Sequence, residues 1–141
     1  MNRTQNWEMR LDDWLKTRAG LEFTFGANDC CLFAAGAVEA MTGEDLAGKF
    51  RGKYRTKHGA QQVLKKYAGG GVRELMVRMA ADHGLIEAAP PMLTRGSVAL
   101  ILNDGRESLG IVDLTGMAIV APGIVGMVRM PIDRAITGWL V

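Results

Sequence analysis

The chain is poor in nearly every residue type that advertises a function by composition. Only two of its 141 residues are cysteine, and they are neighbours, Cys30 and Cys31. Adjacent cysteines give neither a disulfide framework nor the spaced ligands of a zinc site. The net charge is only +2, with no block of Lys or Arg, which argues against nucleic acid and against a membrane surface as partner. No apolar run approaches the roughly 18 residues that span a bilayer, so no membrane insertion is expected. The first residues, Met-Asn-Arg-Thr-Gln-Asn-Trp-Glu, lack the apolar core of a signal peptide, and synthesis in the cytoplasm is expected. Gly69-Gly70-Gly71 is no phosphate loop, because no Lys-Ser/Thr pair follows it. No internal repeat and no cofactor or metal motif is found.

What is present is a globular composition. Hydrophobic residues make up 48% of the chain, and 141 residues suffice for one domain with a real core. Nine methionines point to adaptable apolar packing. Trp7, Leu11, Trp14 and Leu15 recur at helical spacing and predict an amphipathic helix over 6–18, capped by Asn6. Leu21 to Phe25 reads as a short extended piece. The stretch 29–42 reads as a helix rich in small residues, capped by Asn28 or Asp29 and stopped by Gly43. Residues 44–58 read as a polar, basic surface connection, 61–67 as a short helix, and 72–83 as a helix with Leu75, Met79 and either Met76 or Val77 inward.

The pattern changes after Pro90-Pro91. Strands are expected at 97–102, 108–114, 117–121, 124–130 and 137–141, with Asn103-Asp104-Gly105-Arg106 as a hairpin turn. Helices first and strands afterwards predict an α+β class rather than a βαβ fold. The expected division is one domain over 1–141, with a helical half 1–90 and a β half 95–141.

Both cysteines fall at the start of the helix over 29–42. A thiol there feels the positive end of the helix dipole, which favours thiolate. Cys30 is thus a candidate nucleophile, with a small buried packing residue as the plain alternative. Cys31 lies about 100° around the helix and is expected to face the core. Asp12-Asp13 and Glu44-Asp45 read as solvated charges.

The stretch Phe25-Gly26-Ala27-Asn28-Asp29-Cys30-Cys31-Leu32-Phe33 resembles the Gly-x-x-Asp-Cys-Ser-Gly-Leu box of NlpC-type cell-wall cysteine peptidases. Arg95-Gly96-Ser97-Val98-Ala99-Leu100 is similar to their Gly-Asp-Leu-Val strand, and Glu107-Ser108-Leu109-Gly110-Ile111-Val112 to their His-Val-Gly-Ile strand. Together with Trp7…Leu11…Trp14, Thr42-Gly43-Glu44-Asp45 and Tyr54-Arg55-Thr56, the chain also resembles a family of small tail-tip proteins of phages and prophages. These resemblances imply a papain-like, NlpC-type fold, a place in the virion tail tip or baseplate, and other tail proteins as partners. The surfaces expected to hold a partner are the basic connection from Lys49 to His58 and the C-terminal strands.

On this alignment Ser108 occupies the position of the catalytic histidine. A hydroxyl cannot take a proton from a thiol near neutral pH, whereas imidazole can. The next strand, Met117 to Ala121, offers no polar side chain for a third triad position. The expectation is therefore a degenerate peptidase fold that works by binding. The opposing expectation is an active peptidoglycan hydrolase with Cys30 as nucleophile and His58 or His83 as base.

Overall fold

The computed structural model describes residues 1–141. Four helices come first: α1 (Trp7–Arg18), α2 (Cys30–Thr42), α3 (Lys57–Ala68) and α4 (Val72–His83). Six strands follow: β1 (Ile86–Ala88), β2 (Val98–Asn103), β3 (Arg106–Val112), β4 (Ala118–Pro122), β5 (Met127–Pro131) and β6 (Thr137–Leu140). They form one sheet in the order β1-β6-β2-β3-β4-β5, with every pairing antiparallel. Strands β2 to β5 run as a meander, and β6 returns to lie between β1 and β2. The class is α+β.

Two apolar clusters explain why β4 and the first four residues of β2, Val98–Ile101, are apolar without a break. The larger one joins Leu11 and Leu15 of α1, nearly all of α2, and Leu75, Met76 and Met79 of α4 to one face of the sheet. That face presents Val98, Leu100, Leu109, Ile111, Val120 and Trp139. The alternate residues Ala99, Ile101, Val112, Ile119 and Ala121 face a second cluster, closed by Leu93 and Ala135. Strands covered on both sides lose the apolar–polar alternation.

Helix α2 is the central element. Its small residues let α1 approach closely: a Cβ on Gly36 would stand 2.4 Å from the ring of Trp14. Trp14 in turn meets Phe33 edge-on, with centroids 5.0 Å apart. Gly43 ends α2 in the left-handed conformation, φ 83°, and returns its N–H to the carbonyl of Glu39.

Several sequence expectations are corrected. Asn6 precedes α1 but caps nothing with its side chain; its oxygen accepts from the Thr4 hydroxyl instead. The connection after α2 is not simply a surface segment, because Leu46, Ala47, Phe50 and Tyr54 are buried in the main core. Helix α3 starts at Lys57, earlier than expected, where the Thr56 side chain accepts from the Gly59 N–H. In α4 it is Met76 that is buried, while Val77 is exposed. Strand β1 falls inside the expected helical half. The strand expected from Ile124 begins only at Met127, and Ile124 and Val125 stand exposed at the hairpin tip.

Candidate functional site at the start of α2

Three segments meet at the first turn of α2. The turn at Gly26 leads in, β3 crosses beneath, and the connection after α2 folds back over it. Gly26 has φ 81°, and a Cβ there would stand 2.1 Å from the carbonyl oxygen of Tyr54. Only glycine fits such a conformation at such an approach.

Asp29 ties these segments together. It is 4% exposed. One carboxylate oxygen accepts the Leu32 N–H at 2.9 Å, the N-cap bond of α2. The other accepts the Gly26 N–H at 2.9 Å and the Tyr54 hydroxyl at 2.5 Å. Burial first, and then the adjacent carboxylate, push the Tyr54 hydroxyl well above its ordinary pKa, so it remains a donor. Asn28 is equally buried. Its amide donates to the carbonyls of Glu22 and Leu21 and fixes the incoming loop.

Cys30 and Cys31 follow, both buried and both free thiols. Their titrations are tied together, because two touching thiols cannot both ionise easily. The pKa of Cys30 is lowered, chiefly by the Cys31 thiol and then by the Leu109 backbone N–H and the Ser108 hydroxyl, against the opposing effects of burial and of Asp29. Cys31 is pushed well up, by Cys30 first and then by burial. Groups on β3 thus lower the pKa of the first thiol and not of the second.

The residues singled out in the sequence separate clearly. Ser108, 9% exposed, lies on β3 close enough to Cys30 to help lower its pKa. Strand β4, from Ala118 to Pro122, contributes no polar side chain. His58 sits in the first turn of α3, exposed, and makes no hydrogen bond or ion pair. His83 closes α4 and faces Glu44 at 3.7 Å. Glu44 follows the C-cap of α2, a 13-residue helix, so His83 stands about 20 Å from Cys30 along that axis. The structure brings Ser108 to Cys30 and keeps His83 away from it. Two surface clefts lie elsewhere, one between α1 and α2 and one between α1 and the sheet, and neither is lined by Cys30 or Ser108.

Sequence reasoning missed Tyr54 and the Leu109 amide. The signal for Tyr54 was its place as the sole aromatic in Lys53-Tyr54-Arg55, since a tyrosine that buries its ring needs a hydroxyl partner. No side-chain pattern reports a backbone amide.

A pH profile of alkylation by iodoacetamide, resolved by peptide mass spectrometry, checks this ordering. In the native protein Cys30 is labelled with the lower midpoint of the two thiols and Cys31 only at higher pH. Ser108→Ala moves the Cys30 midpoint up, because it removes a donor to the thiolate. Equal labelling of both thiols at every pH would overturn the assignment.

The site defines an α+β domain with a thiol at a helix start, Ser108 and the Leu109 amide near it on the facing strand, and no histidine hydrogen-bonded to it. The chain belongs to the family described as a domain of unknown function, DUF6950, whose model matches residues 2–141. No curated protein matches the chain.

Proposed function

We propose that this protein is a component of a phage tail tip or baseplate, built on a papain-like, NlpC-type fold that has lost its peptidase base and acts by binding neighbouring tail proteins. The observation that carries the reading is Ser108, and no histidine, on β3 near Cys30. The fold keeps the cysteine-led helix and the facing strand, but the group on that strand can donate to a thiolate and cannot accept a proton at neutral pH. Attack on a peptide bond also needs an acid for the departing amine, and neither β3 nor β4 carries one beside Cys30. The resemblance to tail-tip proteins supplies the setting. On this reading the protein is made in the host bacterial cytoplasm and resides in the virion.

The test has two arms. Particles of the phage or prophage that encodes the chain are purified and analysed by mass spectrometry. Purified protein and Cys30→Ala are incubated with peptidoglycan, and released fragments are measured. The protein is expected in particles, with no stem-peptide fragments released. Cleavage that disappears in Cys30→Ala would establish the active hydrolase instead. Absence from particles would sink the tail-component reading.

A further inference from the structure

The charge of this chain is sharply divided. Eight of its 17 Lys and Arg residues, and none of its 15 Asp and Glu residues, lie between Leu46 and Arg73. The other residues hold nine basic side chains against fifteen acidic ones. A nearly neutral total conceals a basic segment set on an acidic remainder.

Three of the eight cations are neutralised by ion pairs: Lys49 with Asp82, Arg51 with Asp45 and Arg73 with Glu107. The other five, Lys53, Arg55, Lys57, Lys65 and Lys66, are exposed and make no ion pair. They are gathered by the fold. Lys53 and Arg55 bracket buried Tyr54 and are held by it. Helix α3 packs through Ala60, Val63, Leu64 and Tyr67. Its outer face therefore carries Lys57 and His58, then Gln61 and Gln62, then Lys65 and Lys66, in rows four residues apart. The two ends of that face stand about 12 Å apart. None of its side chains is needed by the core.

We propose that the outer face of α3, with the connection before it, is the docking face for an acidic surface of another protein. Three observations select that occupant. The face has no open aromatic ring on which a base could stack: Tyr54 is buried, and Tyr67 is half-buried with Lys66 over its ring. The patch is short, about 12 Å along α3, and is followed at the start of α4 by Glu74, an exposed acid in no ion pair. A long polyanion would run off the patch onto like charge, whereas a compact acidic surface would not. Four of the five free cations are lysines. These are hydrated point charges suited to a wet, reversible electrostatic contact rather than to bidentate phosphate clamps.

This inference rests on the reading of the protein as a docking component, and the experiment separates the two. A fluorescent oligoglutamate peptide of about five residues, at most about 18 Å when extended, is titrated with the full chain, followed by anisotropy at low and physiological salt. The five-fold variant K53E/R55E/K57E/K65E/K66E is expected to bind at least about ten-fold more weakly. Reversal of two exposed, unpaired arginines elsewhere, Arg106→Glu and Arg134→Glu, is expected to leave binding unchanged. Circular dichroism verifies that both variants fold; if the five-fold variant does not, the K65E/K66E pair alone carries the test. No peptide binding by the wild type, or equal loss in the control, overturns the proposal. Duplex or single-stranded DNA of matched charge binding as tightly as the peptide overturns it in favour of nucleic acid. A charge-reversed chain that still enters particles shows this face to be wrong while the tail reading stands. A wild-type chain absent from particles defeats the tail reading whatever the peptide does.

Discussion

Ser108→His is expected to convert Cys30 from an isolated thiol into half of a thiolate–imidazole pair. In the wild type Ser108 lies close enough to Cys30 to help lower its pKa, so a side chain at position 108 starts near the thiol. What it lacks is basicity. An imidazole there can take the thiol proton, hold it as imidazolium beside the thiolate, and return it to a leaving group. A positioned general base contributes roughly 10²–10⁴ in rate. Hydrolysis of an aryl ester such as p-nitrophenyl acetate is expected to rise by about that range and to vanish in Ser108→His/Cys30→Ala. Ser108→Asn, polar but not basic, is expected to change nothing. The larger ring enters a site only 9% exposed, and overpacking costs about 1–3 kcal/mol, so a thermal melt must accompany the assay. A folded Ser108→His with wild-type rates would show that β3 does not hold the lost base position, and the degenerate-peptidase reading would fall with it.

Why one half of the site was legible in the sequence and the other was not follows from the range of the interactions. Asp29 as cap and Gly43 as stop are local signals, set by backbone groups within one helical turn. The class followed from element order, since helices precede strands. The pairing of Cys30 with Ser108 joins residues from opposite halves of the chain, and only the resemblance to the Cys box and its later strand suggested it. Tyr54 stood within the resemblance, but nothing there gave its hydroxyl a partner. It lies among Lys53, Arg55 and Lys57, and a basic run reads as solvent-facing unless one knows that Gly26 will press against its backbone. Strand β1 is three residues long, too short for any alternation to show. Its pairing with β6 spans the whole β half. The late start expected for α3 came from weighing Lys57 and His58 as loop residues and overlooking Thr56, a cap with nothing apolar immediately behind it.

Asp29→Ala is expected to be the most damaging single substitution at the site. Three donors from three segments converge on this carboxylate: Leu32 from α2, Gly26 from the incoming turn and Tyr54 from the connection. Alanine leaves all three without their acceptor in a place that water scarcely reaches. An N-cap loss costs about 0.5–2 kcal/mol, and hydrogen bonds to a charged group about 1.5–3 kcal/mol each. Because these terms are not additive within one network, the expected loss is about 3–5 kcal/mol. Denaturant midpoints measure it. Tyr54→Phe removes one donor and orphans none, so it should cost about 1 kcal/mol. The double variant should fall well short of the sum, because Tyr54→Phe leaves no hydroxyl to be stranded once the carboxylate is gone. Asp29→Asn separates the two roles of the residue. Asparagine still caps α2, but its amide offers a donor where Gly26 or Tyr54 also offers one, so a smaller loss remains. It also removes the negative charge that opposes the Cys30 thiolate, and the alkylation midpoint of Cys30 moves down. A fold loosened and a thiol activated by the same substitution would mean that Asp29 is kept for architecture, at the expense of the reactivity of the cysteine beside it. If Asp29→Asn instead leaves the thiol profile in place, the carboxylate does not act on Cys30, and the electrostatic account of this helix start is wrong.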